Sequence, residues 1–198
     1  MKVSESRLVA DRWSTALKRL DLAYRAASAR PSLTRIVEAH RNRGMDMTWV
    51  TGRIAVGGGI WADENMSDVA KAGVTHIIDM QAEFDDTLLA KPYGIKVLWN
   101  ATDDDFQPKP AELLQRGVDF ALEALDEEGT KLFIHCAAGV HRAPMMALAV
   151  LCSLSWSVED AMQLIEARRP VVDFAEVYVQ SVENFLQTSE RGKVGLQR

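Results

Sequence analysis

Two hydrophobic periods alternate along the chain, and the switches between them lay out its elements. Residues 48–56 read as a pair of short strands around Gly52, 74–79 as a buried strand, 95–99 as another and Leu132–Ile134 as a third. Between them the pattern predicts a helix over 63–72, with Gly73 suited to its C′ position, and a helical or irregular stretch over 84–91. A long helix over 110–127 carries Leu113, Leu114, Val118, Phe120, Ala121, Ala124 and Leu125 on its buried side. After the third strand come an apolar helix over Pro144–Leu151, a helix N-capped by Ser157 and stopped by Pro170, and a last helix over 175–188. Gly57-Gly58-Gly59 reads as a turn, since its spacing is not G-x-G-x-x-G and no Lys-Ser/Thr follows.

Strands alternating with helices over short connections imply an α/β domain, with a mostly parallel central sheet flanked by helices, over residues 44–190. Ahead of it, residues 1–43 read as a helical extension. Trp13, Leu17, Leu20 and Tyr24 share one face of a helix over 4–28, and after Pro31 a second short helix carries Leu33, Ile36, Val37 and His40. Residues 191–198 are expected to be a frayed tail.

Charge sharpens this division. Residues 1–43 hold ten Lys/Arg against four Asp/Glu, a net of +6, whereas the rest of the chain carries −11. A globally acidic domain argues against nucleic acid as the partner. The basic helix fits docking on an acidic surface or contact with a membrane surface, without stable insertion. The longest uncharged run, Ala143 to Val158, is shorter than the roughly 20 residues of a membrane span. Two cysteines, Cys136 and Cys152, are too few for a disulfide framework, and a reactive thiol needs a reducing compartment, so the expected location is cytoplasmic. Cys152, inside an apolar helix, reads as core. His40, His76, His135 and His141 lack metal-ligand spacing, so no metal and no other cofactor is expected.

In an α/β sheet, ligands bind beyond the C-terminal ends of the strands. Two loops stand there, the acidic run Asn100–Pro108 and the stretch His135-Cys136-Ala137-Ala138-Gly139-Val140-His141-Arg142. The second joins a strand to a helix, an arrangement that points backbone N–H groups and the positive helix end at one spot. A cysteine there gains thiolate character, and Arg142, six positions later, can return over the same spot with two parallel donors. Amides, a thiolate and a guanidinium together suit a phosphate monoester.

His135, Cys136, Gly139 and Arg142 resemble the Cys-x5-Arg signature of the protein tyrosine phosphatase superfamily, specifically its dual-specificity branch. The resemblance implies a metal-independent phosphatase acting through a phosphocysteine intermediate on phosphotyrosine, phosphoserine/threonine or both. Cys136 would be the nucleophile, and the amides of Ala137, Ala138, Gly139, Val140 and His141, with Arg142, would bind the phosphoryl oxygens. His135 would support the surroundings of Cys136. The branch carries its general acid some thirty residues before the cysteine. Asp104 is chosen because Asp104…Pro108 is similar to an Asp-x3-Pro pattern, with Asp103 and Asp105 as alternatives.

Ala143 departs from the usual Ser or Thr, whose hydroxyl steadies the departing thiolate. It is similar to the loop of glucan-phosphate phosphatases in the same branch, and implies slower breakdown of the phosphoenzyme. His141 can add charge at the site below about pH 6.5. The loop holds no lysine, which lowers phosphoinositide substrates. Phosphoinositides, phosphoglucans and small metabolites remain alternative substrates. A rhodanese-type sulfurtransferase and a phospho-binding pseudophosphatase remain alternative functions.

Overall fold

The computed structural model describes residues 44–195, with side chains through 188. The two helices expected within residues 1–43 lie outside the described residues, as do residues 196–198.

Five strands form one sheet in the order β1-β2-β5-β3-β4. β1 (Met47–Trp49) pairs antiparallel with β2 (Ile54–Gly57), as a hairpin around Gly52 requires. β3 (His76–Gln81), β4 (Lys96–Thr102) and β5 (Leu132–His135) all run parallel to β2. Every residue of β3 and β5 is buried, the pattern of central strands covered on both faces. β4 extends three residues past the expected end at 99, so Asn100, Ala101 and Thr102 belong to the strand and the acidic loop starts at Asp103.

The helices are α1 (Asp63–Lys71), α2 (Thr87–Ala90), α3 (Ala111–Asp126), α4 (Arg142–Ser153), α5 (Val158–Arg168) and α6 (Glu176–Gly195). Asp63 and Glu64 open α1 and Lys71 closes it, matching charge to the helix dipole. Gly73, at φ +82°, turns the chain out of it. The Ser157 hydroxyl accepts from the Asp160 N–H at 3.0 Å, which confirms the N-cap of α5. α4 is buried from Arg142 through Leu151 and is the centre of the core, between the sheet and helices α3, α5 and α6. Gly117 of α3 lets that helix approach α4, because a Cβ there would run into the Met146 side chain. Phe120 and Leu125 pack at the edge of this core and are only partly buried. Among the described residues no helix is long and apolar enough to cross a membrane.

Two expectations need correction. The last helix does not stop at 188 but continues to Gly195, through residues that contain no proline, so the tail from Arg191 begins as helix. Gly57-Gly58-Gly59 is not a turn: Gly57 ends β2, and the other two continue in irregular chain. The glycines are needed for close approach instead. A Cβ on Gly57 would collide with the Asp46 carbonyl, and one on Gly139 would collide with the Gly57 backbone.

Candidate active site

With β2, β5, β3 and β4 parallel, their C-terminal ends meet at one rim. The loop from Cys136 to His141 leaves β5 there and enters α4 at Arg142. Gly139 takes φ +66°, a conformation other residues rarely hold, and its N–H donates to Cys136 Sγ at 3.3 Å.

The orientation of this loop follows from where its carbonyls go. Ala137 O accepts from the Gly59 N–H, Val140 O from the Asp173 N–H and His141 O from the Met145 N–H, at 3.0–3.1 Å. Ala138 O and Gly139 O accept from the Arg169 guanidinium at 3.4 and 2.9 Å. All five carbonyls are thus held by the surrounding protein. Among the described residues, the N–H groups of Ala137, Ala138, Val140 and His141 donate to no protein acceptor. A peptide plane with its carbonyl fixed outward turns the next residue's N–H to the other side, so the N–H groups of residues 138–142 form a cradle of donors.

Arg169 was not singled out by the sequence reading. Only 4% exposed, it forks onto Asp46 (2.7 and 2.6 Å) while bonding the two loop carbonyls. Its place just before Pro170, at the end of α5, gave no hint of that reach.

Arg142 is also buried. Its terminal nitrogens donate to both Glu83 oxygens (2.9 and 3.0 Å) and to Thr102 O (2.9 Å). Its Nε makes no hydrogen bond, and lies 3.8 Å from Asp104 Oδ2. Burial alone would lower this guanidinium's pKa. The hydrogen-bonded Glu83, with Cys136 and Asp104 near it, outweighs burial and holds the pKa above its ordinary value. Glu83 is a second residue the sequence reading missed, although its position beyond the end of β3 places it on the rim.

The three aspartates of the acidic loop separate clearly. Asp105 is exposed and bonded to Lys109, a hydrogen bond that lowers its pKa, and Asp103 is exposed. Asp104 alone turns to the signature loop: its Oδ2 lies 3.1 Å from His141 Nδ1, and its Oδ1 accepts from the Tyr178 hydroxyl at 3.0 Å. Burial raises the Tyr178 pKa to about 12, with the adjacent Asp104 adding to the effect.

His135 does not sit at the mouth of the site. It is fully buried behind Cys136, with Nε2 2.8 Å from Asp86 Oδ2 and 3.7 Å from Asp79 Oδ1. Burial lowers the His135 pKa and raises those of both aspartates. Among the described residues these three form the one cluster of metal-ligand types. Despite the 2.8 Å separation, neither ring nitrogen of His135 and neither carboxyl oxygen of Asp86 makes a hydrogen bond among the described residues. Cys152 is half-buried at the edge of the core, its thiol pKa raised to about 11 by burial.

The family model for the dual specificity phosphatase catalytic domain matches residues 61–187. Rat dual specificity protein phosphatase 5 is 32% identical over 75 residues, which are 37% of this chain and 19% of that protein. Human protein tyrosine phosphatase type IVA 3 is 30% identical over 107 residues, 52% of this chain and 60% of that protein. The chain therefore spans less than two thirds of these relatives. Among solved structures, PTPMT1 in complex with PI(5)P superposes with a TM-score of 0.65 at 22% identity, covering 74% of this chain and 98% of that one. Human DUSP28 gives 0.63 at 18% identity, over 73% and 95%. At such identities the likeness is one of fold.

Proposed function

The chain belongs to the dual specificity phosphatase family, and from that premise we propose that it hydrolyses phosphomonoesters through a phosphocysteine intermediate. The observation that carries this reading is the cradle: five loop carbonyls engaged outward, four N–H groups free, and Cys136 at its start. Such a cradle suits the three equatorial oxygens of a transferring phosphoryl group.

In the first step the Cys136 thiolate attacks phosphorus, the bond from phosphorus to the leaving oxygen breaks, and Asp104 gives that oxygen its proton. In the second, water attacks phosphorus, the S–P bond breaks, and Asp104 takes the proton released. Arg142 Nε and the loop amides hold the phosphoryl oxygens throughout. Glu83 engages both terminal nitrogens of the guanidinium, which leaves Nε as its one nitrogen without a hydrogen-bond partner among the described residues. His135, fully buried behind Cys136, supports the base of the loop from inside.

The substrates this site favours are phosphotyrosine and phosphoserine/threonine in proteins. The mouth carries the exposed carboxylates of Asp103, Asp105 and Asp173 and, in the loop, no lysine. That charge disfavours a ligand bearing several phosphates. The PTPMT1 structure holds PI(5)P, which makes a phosphoinositide the comparison to include. The test is a panel of phosphotyrosyl and phosphoseryl peptides, phosphoinositides and p-nitrophenyl phosphate, run with the parent protein and Cys136→Ser. Hydrolysis abolished by the substitution is expected. Hydrolysis that survives it refutes the cysteine mechanism, and turnover of lipid over peptide refutes the substrate assignment.

A further inference from the structure

We propose that His141 and Tyr178 are positioning residues that hold the Asp104 carboxyl at the signature loop before substrate arrives. The inference deepens the reading of Asp104 as general acid and base, and rests on it.

An aspartate on a rim loop ordinarily has several rotamers and a mobile backbone, and both must be fixed before it can deliver a proton. Here each carboxyl oxygen has its own partner from a different part of the fold. Tyr178, on α6, donates to Oδ1, and His141, in the signature loop, meets Oδ2. The same Tyr178 oxygen accepts from the Phe106 N–H at 3.1 Å, so one hydroxyl ties both the side chain and the backbone of the acidic loop. The Phe106 ring stacks on Tyr178 at 5.9 Å and meets His141 edge-on at 5.1 Å. Phe106 sits at φ +55°, a strained conformation for a bulky residue that persists only where its surroundings enforce it. A second tie to α6 runs from the Lys109 N–H to Ser181 Oγ at 3.0 Å.

The imidazole has a further neighbour. Asp173 Oδ2 lies 3.5 Å from His141 Nε2. The imidazole therefore lies between two carboxyl groups, Asp104 on its Nδ1 side and Asp173 on its Nε2 side.

The test compares two substrates in one preparation. Phenyl phosphate has a leaving group that needs protonation, whereas p-nitrophenyl phosphate has one that needs little. The ratio of their kcat/KM values, which report the step that breaks the bond to the leaving oxygen, is independent of the fraction of folded enzyme. Tyr178→Phe, which removes one oxygen and keeps the ring, and His141→Ala are each expected to lower the phenyl/p-nitrophenyl ratio by about tenfold, within the range general acid catalysis contributes. His141→Asn, whose amide falls near the Nδ1 position, is expected to recover part of the loss. Asp104→Asn is the reference and should lower the ratio further than either. If Asp104→Asn lowers the ratio while both Tyr178→Phe and His141→Ala leave it unchanged, the positioning role is overturned and the acid stands. If Asp104→Asn itself leaves the ratio unchanged, the assignment of the acid fails first.

Discussion

Replacing Arg169 by lysine separates the integrity of the loop from the integrity of the fold. The guanidinium serves two carbonyls of the signature loop and the Asp46 carboxylate at once, from a side chain 4% exposed. A lysine ammonium is a point donor on a flexible stem and cannot reproduce that fork. The Nε bond to Gly139 O, at 2.9 Å, is a buried charge-assisted bond whose loss costs about 2 kcal/mol. The 3.4 Å contact with Ala138 O adds little. Asp46 is 53% exposed in its side chain, so solvent screening limits that pair to about 1 kcal/mol or less.

The total of about 3 kcal/mol corresponds to a fall in Tm of roughly 6–12 °C for a chain of this size. The catalytic effect should be larger in proportion. A carbonyl freed from Arg169 can turn inward and take its N–H out of the cradle, and a displacement of that size at a reacting centre costs about 100-fold. Asp46→Asn serves as the control, because it weakens the ion pair and leaves both loop carbonyls bonded. Thermal unfolding and kcat/KM with p-nitrophenyl phosphate measure the two effects. If Arg169→Lys lowers Tm as expected but leaves kcat/KM within threefold of the parent, Arg169 is a brace for the fold and the carbonyl argument is wrong.

Other outcomes follow from the same geometry. Ala143 is fully buried at the start of α4, directly after the signature loop and Arg142. Ala143→Ser should shorten the life of the phosphocysteine, seen as a higher steady-state turnover with a smaller burst, and an unchanged turnover number would refute that. Asp86 is buried with its pKa raised, so its contribution to stability is complete below its unfolded pKa and is lost as pH rises through the folded value. Asp86→Asn should therefore flatten the fall in Tm as pH rises above about 4, the unfolded carboxyl value, and parallel curves for the two proteins would contradict the sign. The exposed Asp105, whose pKa is lowered, acts the other way and only under acid conditions, where protonating it releases Lys109.

Much of this protein was legible along the chain. Local regularities determined the alternation of strands and helices, the Ser157 cap, the Gly73 exit and the strand-loop-helix around Cys136, because each depends on residues within a few positions of one another. The parallel sheet then followed, and with it the shared rim of the acidic and signature loops. What only the tertiary structure decided lies in contacts between distant positions. Three consecutive aspartates are equivalent in sequence. They differ because Tyr178, 74 residues away, and His141, 37 away, both meet Asp104, while Lys109 takes Asp105. The roles of Glu83 and Arg169 likewise arise because β3 lies beside β5 and α5 ends next to the signature loop. A glycine run that resembles a turn becomes a close approach for the same reason, since Asp46 occupies the space that side chains on Gly57 and Gly58 would need. Periodicity reports which face of an element is buried. It carries no information on which distant polar group satisfies a buried donor, and that pairing is what makes the rim a site.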